Sequence, residues 1–294
     1  SAILMFAVTR FIGLDVAGVF ILAYTVTQMM VTIGNYGMRS FQVSDIQNEY
    51  SFHTDFSSRI LTVFVMLGIC MAYSWSQGYD RTRVFLISIL CLYRAFESLE
   101  DVLHGELQKA QRLDVGAKIE AIRIFISTIV FLLCCIFTHD VIIACCAMTV
   151  CSFSLTVALN LLVLKNFAWI SFRLESMGIF HLLVACFPIC ICDFFYNYLV
   201  NAPKYAIERN LSEASQAIFT ILFMPVFIIN MISSFIYKPI MTNIGILWNN
   251  YDYKKIVKTI IRQIITISFL TIAIIIVGNL IGLTLLGYIY GVSL

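Results

Sequence analysis

Apolar residues run through this chain in long blocks separated by short polar stretches. Eight blocks fall at 17–38, 60–75, 84–98, 122–137, 141–164, 179–200, 217–237 and 256–287, and a shorter one before them ends at Phe11. A helix that crosses the hydrocarbon core needs about 20 mostly apolar residues. In lipid, backbone N–H and C=O groups must be satisfied within a helix or a closed barrel. These blocks are too long for barrel strands and lack a period of two. The pattern predicts an all-α fold: a polytopic transmembrane helical bundle of about nine spans, the first incomplete.

Composition strengthens that picture. Of the 294 residues, 61% are hydrophobic and 12% charged, against about half and a quarter in a soluble domain. Too few charges are present to cover a water-facing surface. The net charge of +2 and the lack of a basic run interleaved with aromatics exclude a nucleic-acid partner. The ten cysteines lie largely in apolar runs without metal-ligand spacing and read as small apolar residues. The chain opens on SAILMF, already apolar, which reads as the second half of a spanning helix, and both ends read as cuts through a longer protein.

Lys and Arg set the orientation. Connections after even-numbered spans hold thirteen of the 19 basic residues and connections after odd-numbered spans hold four; Arg10 and Arg94 lie within spans. The even connections, and with them the missing N-terminus, are expected in the cytoplasm.

Polar groups within the spans are the candidate chemistry, because burying them in lipid is costly. Thr25, Gln28, Thr32 and Asn35 share one helical face of the second span. Asp193, Tyr196, Asn197 and Asn201 share a face of the seventh, which ends near Lys204. Arg94, Glu97 and Asp101 form a stripe on the fourth, with His104 and Gln108 beyond it, and Asn230, Ser233 and Ser234 lie in the eighth. Each has a plainer reading. Ser and Thr bond back to their own helix carbonyls, and Arg94 with Glu97 can be a structural ion pair. The Asp193 stripe favours a water-filled cavity between helices. Pro188 and Pro225 interrupt spans and are either hinges or static kinks. No GxSxG, HExxH or intramembrane His–Asp pair is present, so the chain is not expected to be an enzyme. His104 and Glu106 read as solvated or interfacial.

Several stretches resemble one family. They are GNYGMRSFQVSD at 34–45, GELQKAQRLD at 105–114 with Arg123 following, YLVNAPKY at 198–205, FMP at 223–225 and FIYKP at 235–239. In order and spacing they are similar to bacterial O-antigen and polysaccharide flippases. These belong to the multidrug/oligosaccharidyl-lipid/polysaccharide exporter superfamily, with twelve to fourteen spans in two six-helix lobes.

The resemblance implies an N-terminal lobe over 1–165, spans 1 to 6, and the truncated start of a C-terminal lobe over 178–294, spans 7 to 9. It implies a transporter of the bacterial plasma (inner) membrane. Its substrate would be an isoprenoid-diphosphate-linked oligosaccharide, flipped from the cytoplasmic to the outer leaflet by alternating access for surface polysaccharide synthesis. A proton or sodium gradient would drive it and no cofactor is needed. Membrane lipids and other polysaccharide-assembly membrane proteins would be its neighbours. Arg10, Arg39, Arg94 and Lys204 are the candidates for head-group charge, since cations balance a pyrophosphate and an arginine fork donates paired hydrogen bonds. Gln28, Asn35, Asn197 and Asn201 are candidates for sugar hydroxyls, and Asp193 for ion coupling. A cation-coupled multidrug exporter of the same superfamily, using Asp193, is the alternative. A membrane glycosyl- or acyltransferase would need a catalytic base and a large polar loop.

Overall fold

Helix ends in this chain are set by a few local devices. Gly13, at φ 143°, separates the first two helices, and Tyr36 and Gly37 turn left-handed to stop the second, with the Tyr36 N–H donating to the Thr32 carbonyl. Ser51 and Asp80 cap the next long helices through Thr54 N–H at 3.3 Å and Thr82 N–H at 3.2 Å. His139 ends another in the left-handed region.

The computed structural model describes residues 2–44, 50–110, 112–164, 176–224, 253–277 and 283–290, with single positions 226, 229 and 247. Its helices are α1 (Ala2–Phe11), α2 (Leu14–Asn35), α3 (Met38–Ser44), α4 (Phe52–Ser76), α5 (Arg81–Lys109) and α6 (Leu113–Thr138). They continue as α7 (Val141–Leu164), α8 (Ser176–Asn210), α9 (Glu213–Leu222), α10 (Tyr253–Val277) and α11 (Leu283–Tyr290).

Among the described residues, six segments are long and apolar enough to cross a membrane: Leu14–Val43, Phe52–Ser76, Leu113–Thr138, Val141–Asn160, Met177–Asn210 and Tyr253–Ile276. Of the other expected spans, α1 is short and α5 is not among the six. The expected eighth is described over 217–224, where α9 covers its start, while Pro225, Asn230, Ser233 and Ser234 lie outside the described residues, as does the 165–175 connection between the expected lobes. The helix of the seventh span, α8, runs unbroken through Pro188 and Pro203.

The chain divides into two compact units, 3–216 and 217–294. In the first, α2 is the axial helix, buried along most of its length from Ala17 to Gly34 and packed against α4, α5 and α8. α5 in turn packs on α6 and α7. Gly34 allows a close crossing of α2 with α4 and α5: a Cβ there would stand 2.7 Å from Met66 Sδ and 2.9 Å from Ser98 Oγ. The outward faces carry Phe64, Phe125, Phe137, Leu162 and Phe195 in the open. The second unit contains α10, which exposes Ile261, Ile264, Ile265, Phe269 and Ile272. Large exposed apolar side chains around helices that bury arginines suit lipid as the surrounding solvent. The protein is a membrane-embedded helical bundle.

Within the first unit the helices alternate in direction. One end, the Arg39 end, gathers the end of α2, the starts of α4 and α6, and the ends of α5 and α7. The other gathers the end of α1 against the end of α6, through His139 Nδ1 and the Phe11 carbonyl at 2.8 Å. There the start of α5 also meets the start of α9, through Arg83 and Glu213.

Candidate functional site

The polar stripe of α5 is the backbone of the Arg39 end. Asp101 accepts from Arg39 Nη1 at 2.9 Å and from Arg59 Nη2 at 3.0 Å, so one carboxylate bridges two guanidiniums. Arg59, fully buried, donates from its other terminal nitrogen, Nη1, to the Gly34 carbonyl at 2.9 Å and Asn35 Oδ1 at 3.3 Å. The Thr62 hydroxyl donates to the same Gly34 carbonyl. Arg39 also reaches Gln108 Oε1, from Nη2 at 3.3 Å. Gln42, on α3, donates to the Val102 carbonyl and Glu106.

A second cluster lies beside it. Arg123 is paired with Glu100, both essentially without solvent contact, and its Nη1 donates to Ser152 Oγ at 3.2 Å and Tyr93 Oη at 3.3 Å. Asn160 Nδ2 donates to Glu100 from α7. His104 is buried with Nε2 3.8 Å from Glu100. It stands on α5 beyond the apolar stretch 84–98, where burial, followed by the charge of Arg39, pushes its pKa down to about 4. Deeper along α5, Arg94 pairs with Glu97 and donates to Gln28 Oε1 at 2.6 Å, its guanidinium 4.6 Å from the Tyr24 ring centre.

Between the clusters is a cavity of about 70 Å³, lined by Asn35, Arg39, Glu97, Asp101, His104 and Arg123 among others, room for little beyond ordered water. Arg39 keeps a third of its side chain exposed at this site; Arg59 exposes none.

The structure therefore brings together four of the sequence candidates, Gln28, Asn35, Arg39 and Arg94. It leaves Arg10 exposed at the end of α1. On α8, Asp193 is exposed, and the Asn197 amide donates back to the Asp193 carbonyl at 2.9 Å. Asn201 donates to the Asn197 carbonyl and accepts from Lys204 Nζ at 3.0 Å. Their donors thus serve mainly their own helix. Thr32 does the same, bonding the Met29 carbonyl.

Arg59, Glu100, Arg123 and Asn160 are the network members that the hydropathy blocks left in loops or at span ends. α4 begins eight residues before the apolar block and α5 runs eleven beyond its own. His104 and Glu106, expected as solvated or interfacial, instead belong to helix α5, with His104 buried and Glu106 within reach of Gln42. The available signal was spacing: Glu97, Glu100, Asp101, His104 and Gln108 continue the three- and four-residue period of Arg94.

No family model matches the chain, and no curated protein or solved structure does either.

Proposed function

We propose that this protein is a flippase for an isoprenoid-diphosphate-linked oligosaccharide, working by alternating access with the Arg39 end toward the cytoplasm. The reading rests on one observation above all: Asp101 is shared by two arginines, one of which, Arg39, is partly exposed at a polar cavity. Arg39 and Arg59 face the single carboxylate of Asp101, and although Glu97, Glu100 and Glu120 keep the cavity as a whole from being positive, the partly exposed Arg39 fork is the part of it that can turn to an anion. A diphosphate oxygen can replace Asp101 on the Arg39 fork while Arg59 keeps its hold on Asp101 and the Gly34 carbonyl. Sugar hydroxyls would then meet Asn35 and Gln28, and the isoprenoid tail would remain in lipid, which it needs as much as the head group needs escape from it. Arg94, closed by Glu97 and Gln28, is a support for this site more than a ligand. Alternating access would expose it to each leaflet in turn, coupled to a proton or sodium gradient.

Reconstituted vesicles with a fluorescent lipid-linked oligosaccharide test this. Arg39→Ala should reduce translocation per inserted molecule by at least about tenfold, since a charged hydrogen-bond partner at a buried site is worth roughly 2–5 kcal/mol. Arg39→Lys should keep part of it, having the charge without the fork. Unchanged translocation per molecule in Arg39→Ala would remove Arg39 from the site. Exposed Asp193 on α8 supports the other reading, a cation-coupled drug exporter. Efflux of an organic cation that fails in Asp193→Asn, with no glycan movement, would establish it instead.

A further inference from the structure

At the end of the first unit opposite Arg39, α8 and α4 meet α2 around a much larger cavity, of about 410 Å³. Its lining includes Met29, Tyr73, Tyr198, Tyr205, Glu208 and Arg209. That volume falls in the range of small-molecule sites, about 300–1,000 Å³. The walls are built for a flat, weakly polar face. Tyr198 and Tyr205, two turns apart on one face of α8, stack with ring centres 6.1 Å apart and planes 16° from parallel. The Tyr205 hydroxyl points to the Thr25 carbonyl at 3.5 Å and lies 3.6 Å from Met29 Sδ, which ties its ring to α2. Tyrosines at a membrane interface often serve as anchors. An anchor turns its ring to the lipid, whereas these rings line a cavity.

Charge narrows the ligand. Glu208 and Arg209 lie side by side in the lining and cancel, and Lys204, buried one turn further back on α8, adds a cation. An aromatic cage for an organic cation needs the opposite balance. What fits three tyrosines, one carboxylate and one guanidinium is a neutral ring with C–H groups on its faces and hydroxyls around its edge. Such hydroxyls donate to a carboxylate and accept from a guanidinium. We propose that this cavity binds a neutral sugar residue, its C–H face on the Tyr198–Tyr205 wall and its hydroxyls on Glu208 and Arg209. The proposal rests on the flippase reading only for the source of the sugar, a glycan carried through the bundle. A free saccharide offers the same chemistry.

Saturation-transfer NMR on the purified full chain in detergent reads this directly. The probes are methyl glycosides of neutral hexoses and of an N-acetylhexosamine, with choline as the cationic control. The glycosides should show strongest saturation on the C–H protons of one ring face. Tyr198→Ala should weaken binding about tenfold, roughly the worth of one stacked ring, and Glu208→Gln about threefold. Tyr198→Phe should bind like the parent. Tyr198 is half-exposed, so its truncation leaves the fold in place, and an unchanged helical spectrum confirms that. Absence of glycoside binding, binding of choline in preference, or unaltered affinity in Tyr198→Ala would each overturn the site. The two readings separate cleanly. Translocation of lipid-linked glycan without glycoside binding refutes this site and leaves the transport reading standing. Glycoside binding without translocation does the reverse.

Discussion

Two regions of the first unit handle polar groups in opposite ways, although they meet α2 at neighbouring residues, Gln28 and Met29. At the Arg39 end, charges are driven inward and set against each other: Arg59 on Asp101, Arg123 on Glu100, Arg94 on Glu97, with a cavity of only about 70 Å³ left between them. At the Tyr205 end, most of the lining is tyrosine and aliphatic, polar donors return to carbonyls of α8, and about 410 Å³ stays open. Desolvated charge is unforgiving, since each member must keep its partner or the structure loses several kcal/mol. Aromatic surface makes no such demand. The buried pairs therefore hold a fixed geometry around the partly exposed Arg39, while the other region keeps open volume.

The largest test of this contrast is Arg123→Met. It strands Glu100 in a site almost without water, and we expect a loss of about 3–5 kcal/mol, read as a fall in the melting temperature of detergent-solubilised protein. Adding Glu100→Leu should restore much of the loss, because removing both charges ends the desolvation penalty. A neutral single mutant would show that the Arg39 end is not the rigid one.

Gly34→Ala comes next. The added Cβ meets Met66 and Ser98 where α2, α4 and α5 cross, and overpacking of this kind costs about 1–3 kcal/mol. It should also disturb Arg59, which bonds the Gly34 carbonyl, so a double mutant with Arg59→Met should be less than additive.

A smaller effect is expected from pH. The pKa of His104 is lowered in the fold, from its ordinary 6.5 to about 4, so between these values the unfolded chain binds the extra proton and the native chain does not. The stability it contributes is present above about pH 6.5 and is lost as pH falls toward 4. Thermal unfolding across that window should show a slope that His104→Gln diminishes. An unaltered slope would assign the acid sensitivity to carboxylates instead.

The smallest changes belong to the Tyr205 end. Tyr73→Phe and Glu208→Gln should shift stability by no more than about 0.5 kcal/mol. Loss of fold in either would erase the distinction between the two ends.

The sequence made the spans legible wherever an apolar block and a helix coincide, as in α6 and α7. It also held the stripe Arg94, Glu97 and Asp101 and the partner positions Gln28 and Asn35, because helical spacing alone puts them on common faces. It misjudged the polar extensions. Hydropathy ends a span at the first charged turn, so Arg59 was counted as a loop cation and His104 as solvated, although both sit in helices that bury them. Which arginine answers which carboxylate could not be read either, since Arg39, Arg59 and Asp101 come from three elements 20 to 62 residues apart. On the α8 stripe Asp193 is exposed and Asn201 buried. Asn197 and Asn201 carry the spacing of a cavity face, but an amide four residues from a carbonyl on its own helix already has a partner.

The charge content of α5 bears on how the protein is made. Arg94, Glu97, Glu100 and Asp101 fall within three turns of this helix, and a charged residue near a helix centre costs roughly 2.5–3.5 kcal/mol to insert. Synthesised alone, such a segment would favour water. Its carboxylates find their counter-charges on both sides in the chain: Arg39 and Arg59 precede it, and Arg123 leaves the ribosome after it. We expect α5 to settle in the bilayer only once α6 has been translated. Nascent chains stopped after Lys109 should leave it accessible to a water-soluble thiol reagent at an introduced cysteine, and chains extended past Thr138 should protect it. The order of residues along the polypeptide thus becomes an order of events at the translocon.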